Sequence, residues 1–367
     1  MLDTGCWIVK MQDANMSRDK LKTAVLGLKD DPDVARLLSI TAGSEYFQLA
    51  AVADKDTELA QATAKQYGCE AYDDYRQFVI QNEFDCVLAA AGIYSCEQYI
   101  KAAIKKKFNI FKLKPLARNF EEASELVRLA KTEGVKLAVG VARRYGDINS
   151  QLKSAIEKYD IEQVTVVTAQ CSYRKEHRPA WHNDPKLAGG GVLLRDAYEI
   201  IDSLIDAFGL PEVIYASINN AAPDRQQRHL LTEDSVVVMM NYGSDLCVNL
   251  VATRAAGPTS QSEEIKCYGK NKVLVLGGGA MRIENPAGEK LKRKRIVYDA
   301  DAATKAALES FAMSILEPAE HPLQCGGQEQ LENMAVIEAA YLSARTGMPE
   351  QPRRILALSE SGPTLFL

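Results

Sequence analysis

The feature that most restricts the fold is a change of period along the chain. Through about the first 140 of its 367 residues, short apolar runs alternate with segments of helical length and periodicity. The runs lie at 23–27, 48–53, 84–90, 108–112 and 136–139, and the helical segments at 33–40, 57–67, 96–106 and 120–133. Gly68 and Gly134 stand where helices commonly close. Strands alternating with helices in this way are joined by right-handed crossovers into a parallel sheet. Past Arg143 the rhythm differs. A helix at 147–159 is followed by strand patterns at 163–172, 213–219, 235–242, 246–254, 263–269 and 272–276. Two pairs of these are separated only by Gly243-Ser244-Asp245 and by Lys270-Asn271, which predicts antiparallel hairpins. A last long helix is expected at 328–346, closed by Gly347. The expected class is α/β: a doubly wound parallel sheet, then an α+β part with an open, mainly antiparallel sheet. The expected boundaries are an extension at 1–20, domains at 21–140 and 141–350, and a tail at 351–367. This length accommodates two cores more comfortably than one.

Composition narrows the function. A formal net charge of −5 and 25% charged residues give no electrostatic footprint for nucleic acid. The dense basic runs, Lys105-Lys106-Lys107 and Lys292-Arg293-Lys294-Arg295, read as solvated faces. No apolar run reaches the roughly 18 residues of a membrane span, and residues 1–20 lack the apolar stretch of a secretory signal. The eight cysteines are scattered, with no C-x-x-C pair, and the four histidines are dispersed. Reduced thiols, no metal site and a cytoplasmic setting are therefore expected. Val236, Val238 and Met240, with Val248, Leu250 and Ala252, offer more apolar positions than one core needs. They predict a homodimer or homotetramer formed through the second sheet.

The first strand-to-helix turn reads Gly27-Leu28-Lys29-Asp30-Asp31-Pro32-Asp33. A dinucleotide-binding (Rossmann) turn has glycines spaced G-x-G-x-x-G, for a tight bend and close approach of pyrophosphate to a helix N-terminus. Only the first glycine is present, with Lys29 and Pro32 at the other two places. The aspartates suit a helix start but repel a pyrophosphate, and Lys29 partly offsets them. Asp54 ends the second strand, where an acidic residue accepts hydrogen bonds from ribose. These residues point to NAD or NADP as cofactor and leave weak or absent binding open.

Three further stretches carry a family resemblance. They are Leu113-Lys114-Pro115-Leu116-Ala117, the junction Ala138-Val139-Gly140-Val141-Ala142-Arg143-Arg144-Tyr145, and Gly189-Gly190-Gly191 with the segment to Asp202. With Glu338–Gly347 near the end, their order and spacing resemble the Gfo/Idh/MocA oxidoreductases (glucose–fructose oxidoreductase, inositol dehydrogenase and relatives) from about residue 21 to about residue 349. The resemblance implies a nucleotide at the carboxyl edge of the first sheet and a sugar-like substrate between the domains. Lys114 matches the lysine beside nicotinamide and substrate, and Pro115 the proline of the E-K-P motif, whose peptide bond is often cis. Leu113 replaces the glutamate of that motif. In the pattern G-G-G-x-L-x-D-x-G-x-H-x-x-D, Arg195 stands at the first aspartate, Glu199 at the histidine and Asp202 at the last aspartate.

Arg195 and Glu199 are four residues apart, so a continuous helix would let them pair. Glu199 could act as an acid only if burial raised its pKa. The candidate catalytic residues are Lys114, Glu199, Arg195 and Tyr198. The candidate cofactor contacts are Gly27, Lys29, Asp54, Ala91, Lys114 and Pro115, and the candidate substrate contacts Arg144, Tyr145 and His182. Cys96, where relatives carry a histidine, reads as a buried thiol. Two readings stand: an atypical NAD(P)-dependent oxidoreductase acting on a sugar, cyclitol or related hydroxyl compound, and a non-catalytic binding or regulatory protein that keeps the cleft.

Overall fold

The computed structural model describes residues 20–146, 150–173, 179–220, 231–254 and 262–360. The N-terminal extension, the start of the helix expected at 147–159, His177, His229 and the end of the tail lie outside the described residues.

Six parallel strands form the first sheet: β1 (Leu21–Leu26), β2 (Phe47–Ala53), β3 (Glu70–Tyr72), β4 (Cys86–Ala89), β5 (Asn109–Leu113) and β6 (Leu137–Gly140). Their order is β3-β2-β1-β4-β5-β6, so the winding reverses between β1 and β4. Ala24, Val25 and Leu26 are at most 1% exposed, because helices cover both faces of this strand. The helices are α1 (Val34–Ala42), α2 (Thr57–Tyr67), α3 (Tyr75–Gln81), α4 (Ile93–Lys105) and α5 (Phe120–Glu133). Asp56 and Asn119 cap α2 and α5 by accepting from the Leu59 and Glu122 N–H groups. Both helices end at left-handed glycines, Gly68 and Gly134.

The second sheet has eight strands: β7 (Val166–Ser172), β8 (Val213–Asn219), β9 (Ser235–Asn241), β10 (Cys247–Thr253), β11 (Ser262–Tyr268), β12 (Val273–Gly277), β13 (Ala280–Glu284) and β14 (Lys290–Arg295). Their order is β14-β13-β12-β11-β7-β10-β9-β8. Every neighbouring pair is antiparallel except β7 with β10. Both expected hairpins, β9–β10 and β11–β12, are present. The face assignment made from sequence needs correcting. Val236, Val238, Met240, Val248, Leu250 and Ala252 are buried in the core. The apolar side chains on the opposite face are their alternates, Tyr215, Val237 and Met239, each 45–47% exposed.

The remaining helices are α6 (Ser150–Lys158), α7 (Pro185–Ala188), α8 (Val192–Arg195), α9 (Tyr198–Phe208), α10 (Ala300–Leu316), α11 (Gly327–Thr346) and α12 (Pro352–Glu360). Helix α11 touches β8, α9 and α5, and so ties the two sheets together. Helix α10 returns to the first sheet, where Phe311 packs on Phe111 with ring centroids 5.5 Å apart. The sequence reading omitted β3, α3, β13, β14, α10 and α12. Strand β14 is exposed at every residue, with the basic run 292–295 inside it, so no apolar alternation marks it.

Candidate active site

The chemistry gathers at the carboxyl ends of the parallel strands, beside the β1/β4 reversal where open α/β sheets place their ligands. Gly27 ends β1 at φ +90°, and a Cβ there would lie 2.2 Å from the Ala91 backbone, so the turn admits no larger residue. The Leu28 N–H donates to Asp54 Oδ2 at 2.7 Å, and the Asp56 N–H to Asp54 Oδ1 at 2.9 Å. Asp54 is thereby buried at the end of β2. Lys29 Nζ stands 3.4 Å from Asp56 and 3.8 Å from Asp54. Asp30 Oδ2 accepts from the Gly92 N–H at 2.8 Å, and Asp31 Oδ1 from the Asp33 N–H at 2.9 Å. Burial raises the pKa of Asp31.

Lys114 follows β5, and its peptide bond to Pro115 is cis. Its Nζ lies 2.5 Å from Glu199 Oε2. The other cation on Glu199 is Arg143, whose Nε is 3.2 Å from the same oxygen. The Arg143 fork also holds Glu263, with Nη2 2.8 Å from Oε1. Burial opposes the charge on Lys114, but the Glu199 carboxylate outweighs it and holds the lysine above its ordinary pKa. Burial would likewise raise Glu199, yet Lys114 and Arg143 keep it below the usual carboxylate value. The raised pKa that a role as an acid requires is therefore not found at Glu199, which is held as a carboxylate against Lys114 and Arg143. The cleft, of about 340 Å³, is lined by Asp31, Asp33, Lys114, Arg143, Glu199 and Tyr298 among others. Behind it, buried Lys112 donates to the Pro115 carbonyl at 2.7 Å and braces the Lys114 turn. Cys96 is buried and its thiol pKa is raised by that burial.

The triple glycine serves close packing. A Cβ on Gly189, Gly190 or Gly191 would meet Arg118 O at 2.2 Å, Tyr341 Oη at 2.1 Å or Glu233 O at 2.0 Å. Buried Glu233 accepts from the Gly191 and Leu193 N–H groups at 2.7 and 2.9 Å, and from the Tyr341 hydroxyl at 2.8 Å. This anchor of α8 escaped sequence reasoning, because it comes from some 40 residues further along.

Arg195 and Glu199 do not pair. Helix α8 ends at Arg195 and α9 begins at Tyr198, so the two side chains leave different helices. The Arg195 guanidinium lies over Trp181, 4.8 Å from the ring centroid, with Nη2 3.1 Å from His182 Nε2. Arg195 and Trp181 wall a small recess beside Lys114 and Pro115, and His182 backs the arginine. Trp181 also packs against Tyr94 of α4, with ring centroids 4.9 Å apart and the planes tilted.

Three candidates fall elsewhere. Tyr198 is fully buried beside Asp202 and Asn333, so it does not line the cleft. Arg144 is committed to Asp202, with Nε–Oδ2 2.6 Å and Nη2–Oδ1 3.0 Å. Gln330 and Asn333 of α11 also donate to Asp202, each at 2.8 Å. Tyr145 is held beside Cys325 and Ser310. These residues pack at the junction and are not among those lining the cleft.

With this site on a Rossmann sheet joined to an open second sheet, the chain belongs to the Gfo/Idh/MocA oxidoreductase family. Residues 22–141 match that oxidoreductase family's NAD-binding Rossmann fold, and residues 153–351 its C-terminal alpha/beta domain. The chain is 26% identical over 264 residues to inositol 2-dehydrogenase 1 of Mycolicibacterium vanbaalenii, covering 71% of this chain and 74% of that one. It is 23% identical over 238 residues to an uncharacterized oxidoreductase of Schizosaccharomyces pombe. That match spans 63% of this chain and 64% of its relative's length. The fold is shared with an oxidoreductase from Agrobacterium radiobacter solved with NAD+, L-tartaric acid and magnesium. The TM-score is 0.80 at 16% identity, over 92% of this chain and 100% of that one.

The first domain is thus an NAD-binding Rossmann domain, and its residues fit a dinucleotide. Asp54 is held just past the carboxyl end of β2, the Gly27 turn lies against Ala91, and the cis Lys114-Pro115 bond follows β5. The mismatch is one of charge, in the turn itself. Among the described residues, no helix is long and apolar enough to cross a membrane.

Proposed function

We propose that the protein transfers a hydride between a nicotinamide cofactor and the carbinol carbon of a sugar, cyclitol or related hydroxyl compound. The observation that carries this is the Lys114–Glu199 contact of 2.5 Å, in the cleft at the carboxyl edge of the parallel sheet. The bound cofactor would supply or accept the hydride. Asp54 and the Gly27 turn would hold its adenosine side, and Ala91, Lys114 and Pro115 its nicotinamide side.

Lys114 handles the proton. Held charged by Glu199, it donates to the substrate oxygen as a carbonyl is reduced. In the reverse direction only the neutral amine can accept the hydroxyl proton as the hydride leaves, so Lys114 first gives its own proton to solvent. Arg143 keeps Glu199 ionised, so Lys114 has a fixed counter-charge. Arg195 places a further cation on the wall beside Lys114, which suits a carboxylate-bearing substrate such as a uronic acid. The inositol dehydrogenase among the relatives supports a cyclitol or sugar.

Two finer readings accompany this. The exposed Tyr215, Val237 and Met239 support a homodimer or homotetramer through the outer face of the second sheet. The seven described cysteines are all free, which supports a reducing, cytoplasmic setting.

The test is a screen of inositols, hexoses and uronic acids with each nicotinamide cofactor, following absorbance of the reduced form. Turnover that falls about 10²-fold in Lys114→Ala is the expected result. The acidic turn is the observation that favours the other reading, a binding or regulatory protein. Absence of both turnover and nucleotide binding would establish that reading instead.

A further inference from the structure

A dinucleotide-binding turn works by leaving backbone N–H groups free to meet a pyrophosphate. In this chain carboxylates already hold amides on both sides of the β1/β4 reversal. Asp54 takes Leu28 N–H at 2.7 Å, Asp30 takes Gly92 N–H at 2.8 Å, and Asp31 takes Asp33 N–H at 2.9 Å. The Asp54 contact fits a ribose-binding residue. The other two do not arise from a glycine-rich turn, because they need the side chains that stand beside Lys29 and before Pro32. Asp30 reaches across from the β1–α1 turn to the start of α4, and Gly92 has no side chain to keep it out: a Cβ there would lie 2.9 Å from Asp30 Oδ2. Asp30 and Asp31 also wall the recess that holds Lys112, Lys114 and Pro115, with only about 20 Å³ of open space. Asp33 is paired with Arg36. Asp30 and Asp31 are the aspartates on the wall of this recess, beside Gly92.

We propose that Asp30 and Asp31 act as a built-in anion that competes with the dinucleotide pyrophosphate. Asp30 must leave the Gly92 N–H before a phosphate or ribose oxygen can use it, and both carboxylates repel the incoming charge. The turn thus sets cofactor affinity. The inference rests on the nucleotide-binding class of the domain. Binding is read without substrate, so lack of turnover leaves it untouched.

The test is titration calorimetry of the full chain with NADH and with NADPH, for wild type, Asp30→Asn, Asp30→Ala and Asp31→Asn. Asn at 30 removes the charge and keeps an acceptor for Gly92; Ala at 30 also frees the amide. The expected order of NADH affinity is Asp30→Ala above Asp30→Asn above wild type, with Asp30→Ala tighter by about tenfold. Asp31→Asn should also tighten binding, and the gains should appear with both nucleotides. Unchanged or weaker affinity in folded variants, judged by unaltered melting temperature, overturns the proposal. So does the absence of binding by all four proteins at millimolar nucleotide. Should the variants fail to fold, the salt dependence of the wild type decides. Raising NaCl from about 20 to about 300 mM screens a repulsion, so affinity holds or rises; a steep fall, as at a basic phosphate site, overturns the proposal.

Discussion

The proposed reaction rests on the pair Lys114 and Glu199, whose partnership would set its pH behaviour. Glu199 has a depressed pKa, so its contribution to stability is present above the unfolded carboxylate pKa and is lost as pH falls through the lower folded value. Lys114 has a raised pKa, so its contribution is complete below the unfolded lysine value and is lost only as pH climbs past the higher folded one. Between those limits the pair is fully charged. Glu199→Gln leaves Lys114 and Arg143 facing a neutral amide. The lysine pKa then falls, and the alkaline limb of the reduction rate moves to lower pH. A pH–rate profile checks this; a limb that stays in place removes Glu199 as the residue that orients Lys114. Both residues were legible in the sequence, one by its motif and the other by its position. Their contact was not, because the spacing of 195 and 199 suggested a single helix. The break at Asp196-Ala197 involves neither glycine nor proline, so nothing local announces it.

At the level of elements, the parallel strands and their helices were readable because burial on both faces makes unbroken apolar runs. The hairpins were readable from their short turns. Strand β14 and helix α12 were not, since the first is exposed throughout and the second begins inside what reads as a tail. The turn into α8 gives a sharp prediction. Gly191→Ala would push a methyl to 2.0 Å from the Glu233 carbonyl, so the backbone must shift. A loss of about 1–3 kcal/mol is expected in denaturant unfolding, with Arg195 displaced from Trp181. Full stability in that variant would mean that the approach of α8 to Glu233 is slack. The role of the three glycines was visible only once Arg118, Tyr341 and Glu233 had been brought to them by the fold.

Across the whole molecule, the two sheets follow from the sequence, and the way they are joined does not. Helices α10 and α11 come from the last quarter of the chain, yet they pack on the first sheet and on α5. Neither has a distinct apolar face, α11 being buried on most sides, so the sequence does not say which partner each covers. The outer face of the second sheet was misassigned by one residue in register, since alternate positions on a strand face opposite ways. That correction gives Val237→Lys with Met239→Lys as the test of assembly. Light scattering should show the wild type as a dimer or tetramer and the double variant as a monomer; a monomeric wild type would refute the proposed interface.

The central proposal is that Lys114, set by Glu199, supports hydride transfer from a nicotinamide held beside Ala91, Lys114 and Pro115. The most direct measurement is transfer of deuterium from C4-deuterated NADH to a ketose, inosose or keto-uronate, read by mass spectrometry of the product. Wild-type protein should place one deuterium on the product carbon, and Lys114→Ala should do so about 10²-fold more slowly. Transfer at an undiminished rate in Lys114→Ala, or no transfer to any of these acceptors while NADH is bound, would contradict it.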